Sequence, residues 1–287
     1  MFESLSRSWE FAKLSYGLMW ENKHLIVFPI VSTVSAFLVL ASFALPLWQS
    51  GKLEEWQAFL DGTAQTGEDS TVYLIAFAFY FCNYFVIVFF NTGLVACALK
   101  IINGESASLG YGMSFAAKRL PQILSWALLS AVVGMLLKMI ERMNEKVGSF
   151  IASILGFAWT ALAYFVVPVI VVDGEGAVGA IKKSTRILKE NWGTALSGNF
   201  SLGLIGFLLM LPILLLLFLG FQLMGGSASS LLLFGFIGAA ALAIVLVAAF
   251  TSAADSVFKA YLYAYATGKT VPRNVDTASF RSAFTQK

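Results

Sequence analysis

Six stretches of this 287-residue chain are long and apolar enough to cross a bilayer, and no other feature restricts its fold so severely. A helix needs about 20 apolar residues to cross a hydrocarbon core roughly 30 Å thick. A soluble α/β domain would break such runs with turns every few residues. Inside lipid the backbone must satisfy its own hydrogen bonds, which leaves helices as the spanning elements for runs of this kind. Hydrophobic residues make up 59% of the chain and charged residues 12%, more apolar side chain than one globular core can bury. The expectation is an all-α, polytopic membrane bundle.

The spans are predicted over 25–48, 72–99, 120–137, 148–172, 195–224 and 231–266. Pro29 and Pro121 fall in opening turns, where a missing N–H costs little, while Pro46 lies near the exit of the first span. Pro168 lies inside the fourth span, and Pro212 is expected to kink the fifth. The sixth would reach about 54 Å as one helix at 1.5 Å per residue, so it either projects from the membrane or breaks near Ala253 and Ala254.

Three segments between the runs read as amphipathic helices. The clearest for charge is Asp173 to Trp192, where Val178, Ile181, Thr185, Leu188 and Trp192 recur at spacings of three and four. Lys182, Lys183, Arg186 and Lys189 occupy the rest of the circumference, as candidate contacts for anionic lipid. Phe2, Leu5, Trp9, Ala12, Tyr16 and Met19 form a similar stripe before the first span, and Leu109, Met113, Ala116 and Leu120 another before the third. A short acidic amphipathic helix is also expected after the first span, around Leu53, Trp56, Phe59 and Leu60, followed by a flexible run to Ser70.

The even-numbered spans end alike, in Asn103-Gly104-Glu105, Asp173-Gly174-Glu175 and Thr267-Gly268-Lys269, with glycine suited to a left-handed cap. The pattern predicts a single membrane domain over 1–270 built from pseudo-repeats 1–105, 106–175 and 176–269, followed by a polar tail, 271–287. Each repeat is an amphipathic interfacial helix and a helical hairpin, all entering from one side, unlike the inverted repeats of many alternating-access carriers. Of the 19 Lys and Arg residues, all but Lys52, Lys138, Arg142 and Lys146 fall on the side shared by both termini and the amphipathic helices. By the positive-inside rule that side is cytoplasmic.

Polar groups inside spans are the candidates for function, because lipid offers them no partner. Tyr73, Tyr80, Tyr84 and Asn91 lie along one line of the second span, with Asn83 beside it, about 16 Å from Val72 at helical rise. Thr160 on the fourth span should share Asn83's depth, making the two spans neighbours around a polar layer. Asp255 and Lys259, four apart on the sixth span, suit an interfacial ion pair; a proton-coupled acid is the alternative. Small residues on the third span (Ala127, Ser130, Ala131, Gly134) and the sixth (Gly235, Gly238, Ala239, Ala243) permit close helix approach.

Several classes are disfavoured. His24 is the single histidine, no carboxylate cluster offers a metal site, no buried serine has an evident base, and no phosphate-binding glycine loop occurs. No cofactor and no enzymatic activity are expected. A formal charge of +3 is too small and dispersed for nucleic acid. Cys82 and Cys97, on one helix, cannot bridge each other. No cleavable secretory leader is visible before His24.

The segments Phe90-Asn91-Thr92-Gly93-Leu94, Arg119-Leu120 to Trp126, Phe165-Val166-Val167-Pro168, and Ser184 with Trp192 resemble a bacterial multi-pass inner-membrane family of unknown function. The repeat unit is also similar to the membrane domain fused to some glycerophosphodiester phosphodiesterases, whose soluble catalytic domain this chain lacks. The resemblance implies the six-span fold and carries no reaction. Two functions stay open: a pore or carrier for a small or lipophilic solute, and a non-transporting scaffold or accessory subunit that binds anionic lipid or a membrane partner protein. The residues name no solute, and homo-oligomerisation is compatible with either.

Overall fold

A computed structural model describes residues 2–61, 70–143, 147–224 and 230–268. The run expected to be flexible before the second span, Glu145 and Lys146, the turn after the fifth span and the C-terminal tail lie outside the described residues. Those described form helices and their connections, with no strand among them. The helices are α1 (Phe2–Glu21), α2 (Val27–Gln49), α3 (Leu53–Asp61), α4 (Ser70–Ile102), α5 (Leu109–Lys118), α6 (Leu120–Met143), α7 (Val147–Leu162), α8 (Val166–Asp173), α9 (Ala177–Glu190), α10 (Trp192–Met224) and α11 (Ser230–Thr267). Six spans are long and apolar enough to cross a membrane, the fourth made of α7 and α8 together. The protein is an all-α, multi-pass membrane bundle.

The chain forms two compact units. In the first (Met1–Ile30, Ala98–Ser106 and Asn191–Lys287), α1 packs against both α10 and α11. Phe11 meets the rings of Phe258, Tyr261 and Tyr265 at centroid distances of 6.0 to 6.5 Å. Gly198 on α10 sits where any side chain would collide with the Phe258 ring, so its missing Cβ sets how closely α10 and α11 approach. The Tyr16 hydroxyl donates to the Leu202 carbonyl, 3.4 Å away. Burial, with the Asp255 carboxylate adding to it, raises that phenol above its usual value, which keeps it protonated as a donor.

α11 runs unbroken through Ala253 and Ala254, so of the two alternatives open for the sixth span, projection or a break, the break does not occur. Those two residues are fully buried, as are Val257, Phe258 and Leu262 further along the same helix. α10 likewise continues as one helix through Pro212.

The second unit comprises Val31–Cys97 and Ala107–Glu190. α6 and α7 are neighbours, with Trp126 and Trp159 stacked 5.2 Å apart. On the acidic helix α3, Trp56 is buried and meets Phe79 of α4 edge to face at 5.2 Å. α9 lies against α6, α7 and α8.

The interruption falls in span four, at 163–165 between α7 and α8. Pro168 has no N–H for the Tyr164 carbonyl, and its ring crowds the same group, which weakens the helix one turn upstream, where the break falls. Pro168 was visible in the sequence, but no interruption was expected in the fourth span; a kink was expected at Pro212, and a break near Ala253 and Ala254 was one alternative for the sixth.

Candidate functional site

A polar constellation in the second unit joins the start of α6, the end of α8 and the face of α9. Gly174 caps α8 at φ 69°, a left-handed conformation that costs other residues energy. A Cβ there would also collide with the Arg119 guanidinium. That guanidinium donates to the Val171 carbonyl at 3.2 Å, and the Gln122 amide donates to the Gly174 carbonyl at 3.2 Å. Two of the carbonyls left over where α8 stops are thus supplied with donors from the α5–α6 junction and the first turn of α6. The Ala177 amide, in the first turn of α9, donates to Ser125 Oγ at 3.2 Å.

Two contacts fix α9 to span four itself. Lys183 pairs with Asp173 at 2.7 Å, where the carboxylate side chain is only 9% exposed. Ser184 is fully buried, and its Oγ accepts the Phe165 amide at 2.9 Å. Phe165 lies in the break and is itself fully buried. Non-helical backbone at this depth is tolerated only where protein covers it, and Ser184 gives its N–H an acceptor.

α9 therefore presents three faces. Ala177, Ala180, Ser184, Ile187 and Leu188 are buried. Beside them, at about 100° per residue, come Ile181, Thr185 and Val178, the last 63% exposed. Lys182, Arg186 and Lys189, all exposed, follow next around the helix. Of the expected apolar stripe, assigned to the acyl chains, only Leu188 is buried in the protein, and Trp192 opens α10 at 44% exposure. Of the four cations assigned to lipid, Lys183 is engaged with Asp173.

The polar line of α4 is partly gathered. Tyr80 and Tyr84 stack at 6.4 Å, and both lie within 4 Å of the space a Cβ on Gly134 would occupy. Tyr73 and Tyr80 pack with Met135 on Val72 and Ala76. Asn83 instead donates to the Phe79 carbonyl at 3.0 Å, and the Thr160 hydroxyl to the Gly156 carbonyl at 2.9 Å, each on its own helix. Asn91 is half-buried, Thr160 exposed. In the first unit, Asp255 and Lys259 form their ion pair at 2.6 Å. Among the described residues, no three His, Cys, Asp or Glu side chains converge.

The contacts of Arg119, Gln122 and Ser125 escaped the sequence because each partner lies 52 residues away. Pro168 and the buried serine were the available signals, and neither specifies a partner.

A family model, "Family of unknown function (DUF6159)", matches residues 70–271. The chain belongs to that family. No curated protein matches it.

Proposed function

We propose that this member of the family of unknown function is a non-transporting scaffold or accessory component of the bacterial inner membrane, bound to anionic lipid through its interfacial helices. The single observation that carries this is the division of α9 into a protein-facing side, an apolar side turned outward and a row of exposed cations beside it. A helix so divided lies in the interface, with apolar groups toward the acyl chains and cations at the head groups. α1 supports the same placement: Trp9 and Trp20 are exposed, with Lys13 and Lys23 over their rings at 5.7 and 4.5 Å. Paired aromatic and basic residues suit the membrane boundary.

The proposal includes one membrane domain of three repeats, both termini and the helices α1, α5 and α9 on the cytoplasmic side, and no enzymatic activity. Gly104, Gly174 and Gly268 all adopt positive φ, at 84°, 69° and 62°, which supports a common ending for the three repeats; Lys269 lies outside the described residues. Counting around the repeats, α9 packs on the spans of the repeat before it, and α1 on those of the last.

The deciding experiment is lipid selectivity in nanodiscs of mixed phosphatidylcholine and phosphatidylglycerol, read with spin-labelled lipids. The triple variant Lys182→Gln/Arg186→Gln/Lys189→Gln should lose most of the preference for phosphatidylglycerol. Undiminished preference rejects the proposal.

A pore or carrier is the second reading, supported by Tyr80 and Tyr84 together beside Gly134. It ranks lower because Asn83 and Thr160 spend their hydrogen bonds on their own helices. Solute flux into liposomes that is abolished by Asn83→Leu would favour it.

A further inference from the structure

The geometry points to a hinge in span four at residues 163–165, held in its broken form by α9 through Ser184. The Phe165 amide can be satisfied inside the protein in two ways. One is the bond it makes, to Ser184 Oγ at 2.9 Å. The other is the carbonyl of Ala161, four residues back, which a regular helix would offer it. At present Ala161 accepts instead from Tyr164 at 3.2 Å, and Ala163 accepts from Val166 at 3.0 Å. These shortened i to i−3 bonds close the end of α7 and leave Phe165 to the serine. Withdrawing Ser184 returns Phe165 to its own helix and draws α7 and α8 toward one line. Both arrangements keep the amide paired, as a two-state element requires.

The serine does not move alone. The Asp173 to Lys183 pair and the Ala177 to Ser125 bond hold the same helix. On its outer side α9 carries Lys182, Arg186 and Lys189. Resting on the proposed lipid binding, an anionic surface interacts with those cations when α9 is docked and loses them when it lifts. That difference favours the broken form. Span four thereby responds to head-group charge.

The test is a distance across the hinge. Spin labels are placed at Phe150→Cys and Glu175→Cys, both exposed, on a Cys82→Ala/Cys97→Ala background of the full chain in nanodiscs. A straight span would separate these backbone positions by about 37 Å at helical rise, and a broken one by less. Ser184→Ala should raise the ratio of long to short distances about tenfold, the scale of one lost hydrogen bond, and Ser184→Thr, which keeps the oxygen, should restore it. Pro168→Ala should also favour the long form, by giving the Tyr164 carbonyl an N–H, and tests the same equilibrium if Ser184→Ala fails to fold. No lengthening in either variant overturns the hinge, and so does lengthening in Pro168→Ala with none in folded Ser184→Ala. Exchanging phosphatidylglycerol for phosphatidylcholine around the wild-type chain should lengthen the distance. If Ser184→Ala lengthens it and lipid exchange does not, the hinge stands and its coupling to head groups is overturned; the lipid-selectivity measurement then judges lipid binding separately.

Discussion

Asp173 stands at the C-terminal end of α8, where the helix dipole opposes a negative charge, and its side chain is 9% exposed. Lys183 offsets both penalties. Lys183→Met should therefore lower stability by about 2 kcal/mol, less than the roughly 3–5 kcal/mol of a fully buried pair broken on one side, because the lysine is itself one-third exposed. The double variant Asp173→Asn/Lys183→Met should recover part of that loss, a coupling that thermal unfolding in detergent resolves. Gly174→Ala should cost about 2 kcal/mol or more, since alanine is strained at φ 69° and meets Arg119. The glycine was legible as a cap because Gly after a helix-ending polar residue is a local signal. Its neighbour Arg119 was not, since only the packing of α6 against α8 brings the guanidinium there.

Among elements, the position and number of spans could be read directly, whereas the buried faces of the short helices could not. In α1 the expected stripe is split: its members Ala12 and Met19 are buried together with Phe11, Ser15 and Leu18, while its member Trp9 is 37% exposed. In α5 Gly112 and Ala116 are buried while Met113 is exposed. α9 divides in the same way, with Leu188 buried and Val178 exposed. The reason is that lipid is as apolar as a protein core, so periodicity marks every side that avoids water without separating protein from lipid. The buried contacts combine small residues such as Ala12, Gly112, Ala116 and Ala180 with large ones such as Phe11, Met19 and Leu188. Gly198 and Phe258 form such a contact on α10 and α11: Gly198→Val should overpack against Phe258 and destabilise the α1, α10 and α11 unit by about 2 kcal/mol. A lowered unfolding midpoint is the measurement, and an unchanged midpoint would show that α10 can retreat.

For the whole molecule, six spans and an all-helical bundle follow from the apolar runs, because length against bilayer thickness leaves little freedom. Side of insertion depends on a charge asymmetry that acts during membrane insertion, and lipid selectivity on three cations whose use depends on that side. Orientation is therefore the claim on which both lipid binding and the coupling of the α9 hinge to head groups stand. Its most direct measurement is single-cysteine labelling of right-side-out bacterial cells with a membrane-impermeant maleimide, in a background without Cys82 and Cys97. Lys189→Cys and Lys13→Cys should stay unlabelled until the membrane is permeabilised, while Glu54→Cys on the acidic helix α3 should label at once. Labelling of Lys189→Cys in intact cells, or Lys13→Cys and Lys189→Cys on opposite sides, would contradict it.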